Sequence, residues 1–319
     1  MRPRIAAQVF IGGCSRSGTT LLGAMLGRHP AVVTTPESHF KYRVYRALGG
    51  EIGASEIGNA LEAVAEHWRF RIWELPVDSD EILQELNRPS YAALLCRLVE
   101  RYAIQAGKND AYIWVDHTPE NATYATTLLE IFPEARFLHI VRDGRGVAAS
   151  ILPLDWGPNT ITRAAHWWVR SVSYGLALER MLPAERIMSV QYETLTREPV
   201  ARMRAISDFL GIDYQPSMVE STGFKVPRYT APQHELIGRE PDSDRATRWK
   251  QILTRRQVEL FEHETRDFLP YLGYPLLYPN NRRGPTLSER AGETAGELWR
   301  TAVSNNVRWL RRAATLWFR

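Results

Sequence analysis

The stretch Gln8-Val-Phe-Ile-Gly-Gly-Cys-Ser-Arg-Ser-Gly-Thr-Thr-Leu-Leu22 limits what this chain can fold into more than any other. A β-branched and aromatic run, Val9 to Ile11, stops at Gly12 and Gly13 and passes through a small polar loop. It resumes at Thr20, with Leu21, Leu22, Met25 and Leu26 at helical spacing. That pattern is strand, loop, helix. Such a loop turns backbone N–H groups and the positive end of a helix toward an anion, and its glycines let the main chain come close. Gly13 and Gly18 have the spacing of a phosphate-binding loop, but Thr19 stands where nucleotide triphosphatases place lysine. That lysine reaches the β and γ phosphates, so its absence argues against ordinary nucleotide hydrolysis, while Arg16 brings positive charge into the loop instead. A plain glycine turn is the bland reading of the same residues.

The segment Gly12 to Leu22, followed by His29-Pro30 and by Glu37, resembles the 5′-phosphosulfate loop of sulfotransferases that use 3′-phosphoadenosine 5′-phosphosulfate (PAPS). The likeness is to the tyrosylprotein and bacterial sulfotransferase branch. It implies that Arg16, Ser17, Gly18, Thr19 and Thr20 bind the phosphosulfate and that Arg16 stabilises charge during transfer. Glu37 lies as far from Arg16 as the family's general base lies from its loop arginine, just past the strand Ala31 to Thr35, where ligands of open parallel sheets collect. A solvated loop glutamate is the rival reading.

A second strand-to-helix segment, Arg136-Phe-Leu-His-Ile-Val-Arg-Asp-Gly-Arg-Gly-Val-Ala-Ala-Ser150, puts Arg142 at a strand end and Ser150 on the helix that follows. An arginine and a hydroxyl so spaced can converge on one phosphate through charge-assisted bonds. The resemblance makes this the 3′-phosphate site. Asp116-His117-Thr118-Pro119 resembles a family element whose lysine supports the sulfonate, with His117 in the lysine's place; His117 is a candidate donor or base, or inert. Asp116, after an apolar run, also imitates the magnesium-binding aspartate of kinases. Tyr192 falls in a string that resembles the family's adenosine-contacting segment, and a core tyrosine is its alternative. Among Arg245, Arg248, Trp249 and Lys250, Arg248 is the candidate for closing on the 3′-phosphate, beneath a proline- and charge-rich loop over 223–244.

These elements imply a three-layer α/β fold of the P-loop type, with a central parallel sheet, helices on both faces and a helical cap inserted at about 40–108. In the cap, Asp78-Ser-Asp80 reads as a break, and Trp68, Phe70 and Trp73 line an acceptor pocket or pack in the core. Residues 1–279 form the domain. A polar linker from 280 leads to a helical tail with Trp299, Val303, Val307, Leu310, Ala314 and Trp317 at spacings of three and four, flanked by arginines. Such a helix docks on its own domain or a second subunit, or lies on an anionic membrane surface.

Composition narrows the partners. A net charge of +4 in 319 residues suits anionic ligands, and nothing resembles a nucleic-acid-binding module. Two cysteines, Cys14 and Cys96, make neither a disulfide framework nor a zinc site. The first strand begins by about residue 8, without a signal peptide's apolar region; the expectation is a cytoplasmic, bacterial relative of the family's membrane-anchored animal members, with peripheral membrane contact as the variant. The expected reaction is sulfonate transfer from PAPS to a hydroxyl of a small molecule, glycan, lipid or peptide, releasing 3′,5′-ADP and needing no metal. Two other readings stay open, a nucleotide kinase and a non-catalytic nucleotide-binding protein.

Overall fold

The computed structural model describes residues 4–224, 243–280, 283–307 and Leu310. Five short strands form one wholly parallel sheet: β1 (Ala7–Gly13), β2 (Val32–Thr35), β3 (Ile113–Asp116), β4 (Arg136–Val141) and β5 (Ile187–Gln191), in the order β2-β3-β1-β4-β5. The strands are apolar at nearly every position because both faces are covered, and alternate residues enter different cores. Val9, Ile11, Ile113, Val115, Leu138 and Ile140 pack on one face with α1 (Thr19–Leu26) and, further along, Met203, Ile206 and Leu210. Phe10, Trp114 and Phe137 point to the other.

That second face is covered by the long insertion between β2 and β3. It comprises α2 (Phe40–Ala47), α3 (Ile57–Glu66), α4 (Trp68–Arg71), α5 (Ser79–Gln84) and α6 (Tyr91–Gln105). Leu61, Val64, Phe70, Trp73, Ile82, Leu94 and Leu98 join the same apolar cluster as Phe10 and Trp114, so the insertion shares the sheet's core. Phe70 and Trp73 are core residues, whereas Trp68 is about half exposed. The polar stretch expected as a break is instead a helix start, because the Asp78 carboxylate accepts from Glu81 N at 3.0 Å and caps α5.

The remaining elements complete the layers. After β3 come α7 (Ala125–Ile131), then α8 (Gly144–Ile151) and α9 (Ile161–Met181) between β4 and β5. α10 (Tyr192–Arg197) and α11 (Pro199–Leu210) follow β5; α12 (Trp249–Ile252), α13 (Arg255–Glu264), α14 (Phe268–Tyr271) and α15 (Leu287–Trp299) follow the stretch 225–242. Trp168 is fully buried on α9 beside Phe261 of α13. The consequence for function is topological. From β1 the chain crosses over β3 to form β2, returns to β3, and then moves to β4 on the other side of β1. The loops after β1, β3 and β4 are therefore neighbours at the carboxyl edge of the sheet, where ligands of such sheets bind.

Trp73→Ala should cost about 3–5 kcal/mol by emptying a buried aromatic site, and Trp68→Ala should change stability by no more than about 0.5 kcal/mol. Urea unfolding of the two variants tests the division; equal losses would contradict it.

Candidate active site

The loop between β1 and α1 owes its shape to left-handed backbone at two residues. Gly18 has φ of 100°, and a Cβ placed on it would come within 2.6 Å of the Tyr192 ring. Arg16 has φ of 72°, unusual for a residue with a side chain. The turn is closed by Ser17 N donating to Cys14 O at 3.0 Å. At Gly18 no side chain caps α1, and buried Ser17 Oγ has no partner among the described residues. The first N–H groups of the helix and this hydroxyl are thus donors suited to an anion. Thr19 and Thr20, in the first turn, are buried.

Arg16, Ser150, Arg142 and Tyr192, 176 positions apart at the extremes, meet around that loop. Arg16 Nε donates to Ser150 Oγ at 3.1 Å. Arg142 Nη1 donates to Arg16 O at 2.9 Å and Nη2 to Arg245 O at 3.2 Å, while its guanidinium lies 4.4 Å from the Tyr192 ring centroid. Burial and the nearby Arg142 lower the Arg16 guanidinium from its ordinary value to about 10; Arg245 lowers it further, and Glu37 and Tyr192 oppose the shift. Arginines gathered this way form a site for an anion carrying more than one charge.

Arg142 itself is held from behind. Trp168 Nε1 donates to its carbonyl at 3.1 Å. Asp143 N donates to Glu193 Oε1 at 2.9 Å, and the other oxygen of Glu193 accepts from Tyr274 Oη at 2.8 Å. Buried Arg145 then binds both Asp143 oxygens and Glu262, with its guanidinium 4.2 Å from the Trp249 ring centroid. This network carries the segment containing Arg245 to Arg142. Arg248 is exposed at the start of α12, and it is Arg245 whose backbone reaches Arg142. Most of the loop expected over 223–244 lies outside the described residues.

Glu37 follows β2 and faces the cap, its Oε2 3.1 Å from Arg69 Nη1, with both side chains about one-fifth exposed. Its position depends on a buried junction. Next to it, Ser38 N donates to Thr118 Oγ1 at 2.9 Å, and Ser38 Oγ donates to Asp116. Asp116 also accepts from Lys41 Nζ at 2.9 Å, Thr118 N at 3.0 Å and Asn121 Nδ2 at 2.8 Å. Burial alone would raise this carboxyl, but the Lys41 ammonium and the hydrogen bonds hold it well below the usual carboxylate range. With its oxygens taken by protein donors, Asp116 is a structural junction between β3 and α2, unlike the open aspartate that a kinase uses for magnesium.

His117 points to α1: a Cβ on Gly23 would lie 3.1 Å from the His117 Cβ, and Phe224 packs edge-on at 4.9 Å between centroids. It is 2% exposed, and neither ring nitrogen bonds another described residue. Burial lowers its pKa from 6.5, against the pull of Glu37 and Asp116, and so disfavours the charged imidazolium. Lys41 is the functional neighbour that sequence reasoning missed; between Phe40 and Tyr42 it reads as an ordinary solvated lysine, yet it is fully buried. Arg145 and Glu262, 117 positions apart, were equally silent.

Comparisons with known proteins converge on one family. The family model described as "Sulfotransferase family" matches residues 8–216, more than half of the chain. The protein-tyrosine sulfotransferase of Drosophila melanogaster is 24% identical over 222 residues, 68% of this chain and 40% of that protein. Protein-tyrosine sulfotransferase 2 of Gallus gallus is 28% identical over 218 residues, 66% of this chain and 53% of that protein. The chain thus spans about half, or less, of the length of these relatives. Among solved structures, the sulfotransferase domain from the Synechococcus PCC 7002 olefin synthase has a TM-score of 0.59 at 23% identity, covering 86% of this chain and 97% of that one. The sulfotransferase domain from the curacin biosynthetic pathway has a TM-score of 0.57 at 20% identity, covering 86% and 99%. At such identities the structural likeness is one of fold.

A guanidinium whose pKa falls on folding binds its proton less tightly folded than unfolded. Stability therefore rises with pH from about 10 up to the guanidinium's ordinary pKa, and at neutral pH the charged Arg16 costs the fold stability. Arg16→Met should accordingly melt no lower than wild type without ligand, and its Tm should rise less than the wild type's when millimolar pyrophosphate, a multivalent anion, is added. Calorimetric melting reads both; a variant that melts lower yet keeps the full ligand shift would refute this account.

Proposed function

Because the chain belongs to the sulfotransferase family, we propose that it moves a sulfonate group from PAPS to a hydroxyl of an acceptor, leaving 3′,5′-ADP. The observation that carries this reading is the convergence of Arg16, Arg142, Ser150 and Tyr192 on the loop at Gly18. The residues fit the donor: the uncapped start of α1 and Ser17 Oγ suit a 5′-phosphosulfate, and Arg142 with Ser150 suits a 3′-phosphate. Tyr192 is the candidate for the adenosine. The donor supplies an activated sulfonate whose bond to the 5′-phosphate breaks as the acceptor oxygen bonds to sulfur.

The chain's own residues then have separate tasks. Glu37 takes the proton of the acceptor hydroxyl; its Oε2 is oriented by Arg69, and its backbone by the Ser38–Asp116 junction. General-base help of this kind is worth about 10²–10⁴-fold. Arg16 and the N–H groups of Thr19 and Thr20 stabilise the charge that gathers on the sulfonate and the departing phosphate, and they cost no reorganisation because the loop already holds them. Arg142 grips the donor's far phosphate and so fixes the distance between sulfur and Glu37. His117, buried, supports the loop's helix through its packing on Gly23. The acceptor is a tyrosine-bearing peptide, as the names of the relatives suggest, or a lipid, glycan or small metabolite carrying a hydroxyl.

Isothermal calorimetry should find 3′,5′-ADP bound at least about tenfold more tightly than 5′-ADP or magnesium ATP, a difference of about 1.4 kcal/mol, and Arg142→Ala should erase the preference. Preference for magnesium ATP, unchanged in the variant, would replace this reading with a kinase. Glu37→Gln should keep the affinity for 3′,5′-ADP and lower sulfonate transfer to a hydroxyl acceptor by about 10²-fold or more. Transfer at the wild-type rate would remove Glu37 as the base.

A further inference from the structure

The helix at the carboxyl end is turned the opposite way from an ordinary surface helix. α15 runs on through a π turn (Arg300–Ser304) into residues 305–307. Its polar side is the one that docks. Glu293 accepts from Thr162, Glu297 accepts from Asn159 N at 3.0 Å, and Arg300 donates to Leu152 O at 2.8 Å and Leu154 O at 3.0 Å. Asn305 Nδ2 donates to Asn159 Oδ1 at 3.2 Å. Meanwhile Trp299, Val303, Val307 and Leu310, spaced by four, four and three, face outward with Leu298; Leu298 and Trp299 are each 64% exposed and Leu310 59%. Amphipathic helices that serve only to close a core do the reverse.

Charge says what this stripe meets. From Leu298 to Arg319 the sequence contains five arginines and neither aspartate nor glutamate. We propose that this face seats the protein on an anionic lipid surface. The exposed tryptophan, leucines and valines enter the boundary between headgroups and acyl chains, and the net positive charge of the segment favours acidic headgroups. A second copy of the chain would bring two acid-free, arginine-rich segments together, which like-charge repulsion opposes. No described helix is long and apolar enough to cross a membrane, so the contact is one of surface seating. The stripe is tied to the site as well, because Arg300 grips the carbonyls just beyond α8, the helix that carries Ser150.

The test is co-sedimentation of the full chain with vesicles of phosphatidylcholine alone and of phosphatidylcholine mixed with phosphatidylglycerol, at low and high salt. Wild type should sediment with the anionic vesicles at low salt only, and Val303→Glu/Val307→Glu should weaken that partition by at least about tenfold. Melting by circular dichroism checks that the variant is folded; if it is not, Trp299→Ser/Leu310→Ser takes its place. The proposal fails if wild type ignores anionic vesicles or if the folded variant binds them equally. It fails too if light scattering finds a dimer that the same substitutions dissolve, since a second copy would then cover the stripe.

Discussion

Bringing like charges together at the end of an apolar sheet is the constraint on which the rest of this structure depends. Arg16 and Arg142 repel, and burial makes Arg16 harder to keep charged. What holds them is backbone: Arg142 gives one N–H from each terminal nitrogen to the carbonyls of Arg16 and Arg245, and its flat face rests on Tyr192. Trp168, Glu193 and the Arg145–Glu262 pair then fix the β4–α8 turn from below. A fold selected only for stability would not assemble this cluster. Its place at the carboxyl edge, beside an uncapped helix start, suits an anionic ligand.

A second buried polar network does the same work for the candidate base. Asp116 accepts from Ser38, Lys41, Thr118 and Asn121, and it thereby joins the end of β3 to the turn that carries Glu37. Removing one partner of such a network leaves a buried charge unpaired, so its members act as a unit. The arrangement separates two roles that resemble each other in sequence. Asp116 is closed off by protein donors, whereas Glu37 reaches the cap and keeps about one-fifth of its surface in solvent.

The cap and the tail show how packing reassigns residues whose pattern is ambiguous. Phe70, Trp73 and Trp68 lie within six positions, yet the first two fill the core that also takes Phe10 and Trp114, and the third stays outside under Arg69. In the tail, period alone reads as an apolar face awaiting a core. The acids and amides at 293, 297 and 305 find partners on the domain first, and the apolar stripe turns outward.

The sequence by itself determined the phosphate-type loop, the arginine and serine at a strand end and on the next helix, the parallel three-layer fold and the long insertion. Each is written in local spacing: glycines where φ must be positive, apolar runs where both sheet faces are covered, and a hydroxyl on the second turn of the helix that follows a strand. Tertiary structure alone decided that Arg245 reaches Arg142 while Arg248 stays exposed, that Lys41 is a buried partner of Asp116, and that His117 is buried against α1. It also decided that Arg145 and Glu262 pair across 117 positions. These outcomes depend on which strands become neighbours and on how deeply each charge is then removed from water, and neither quantity has a period or a spacing along the chain.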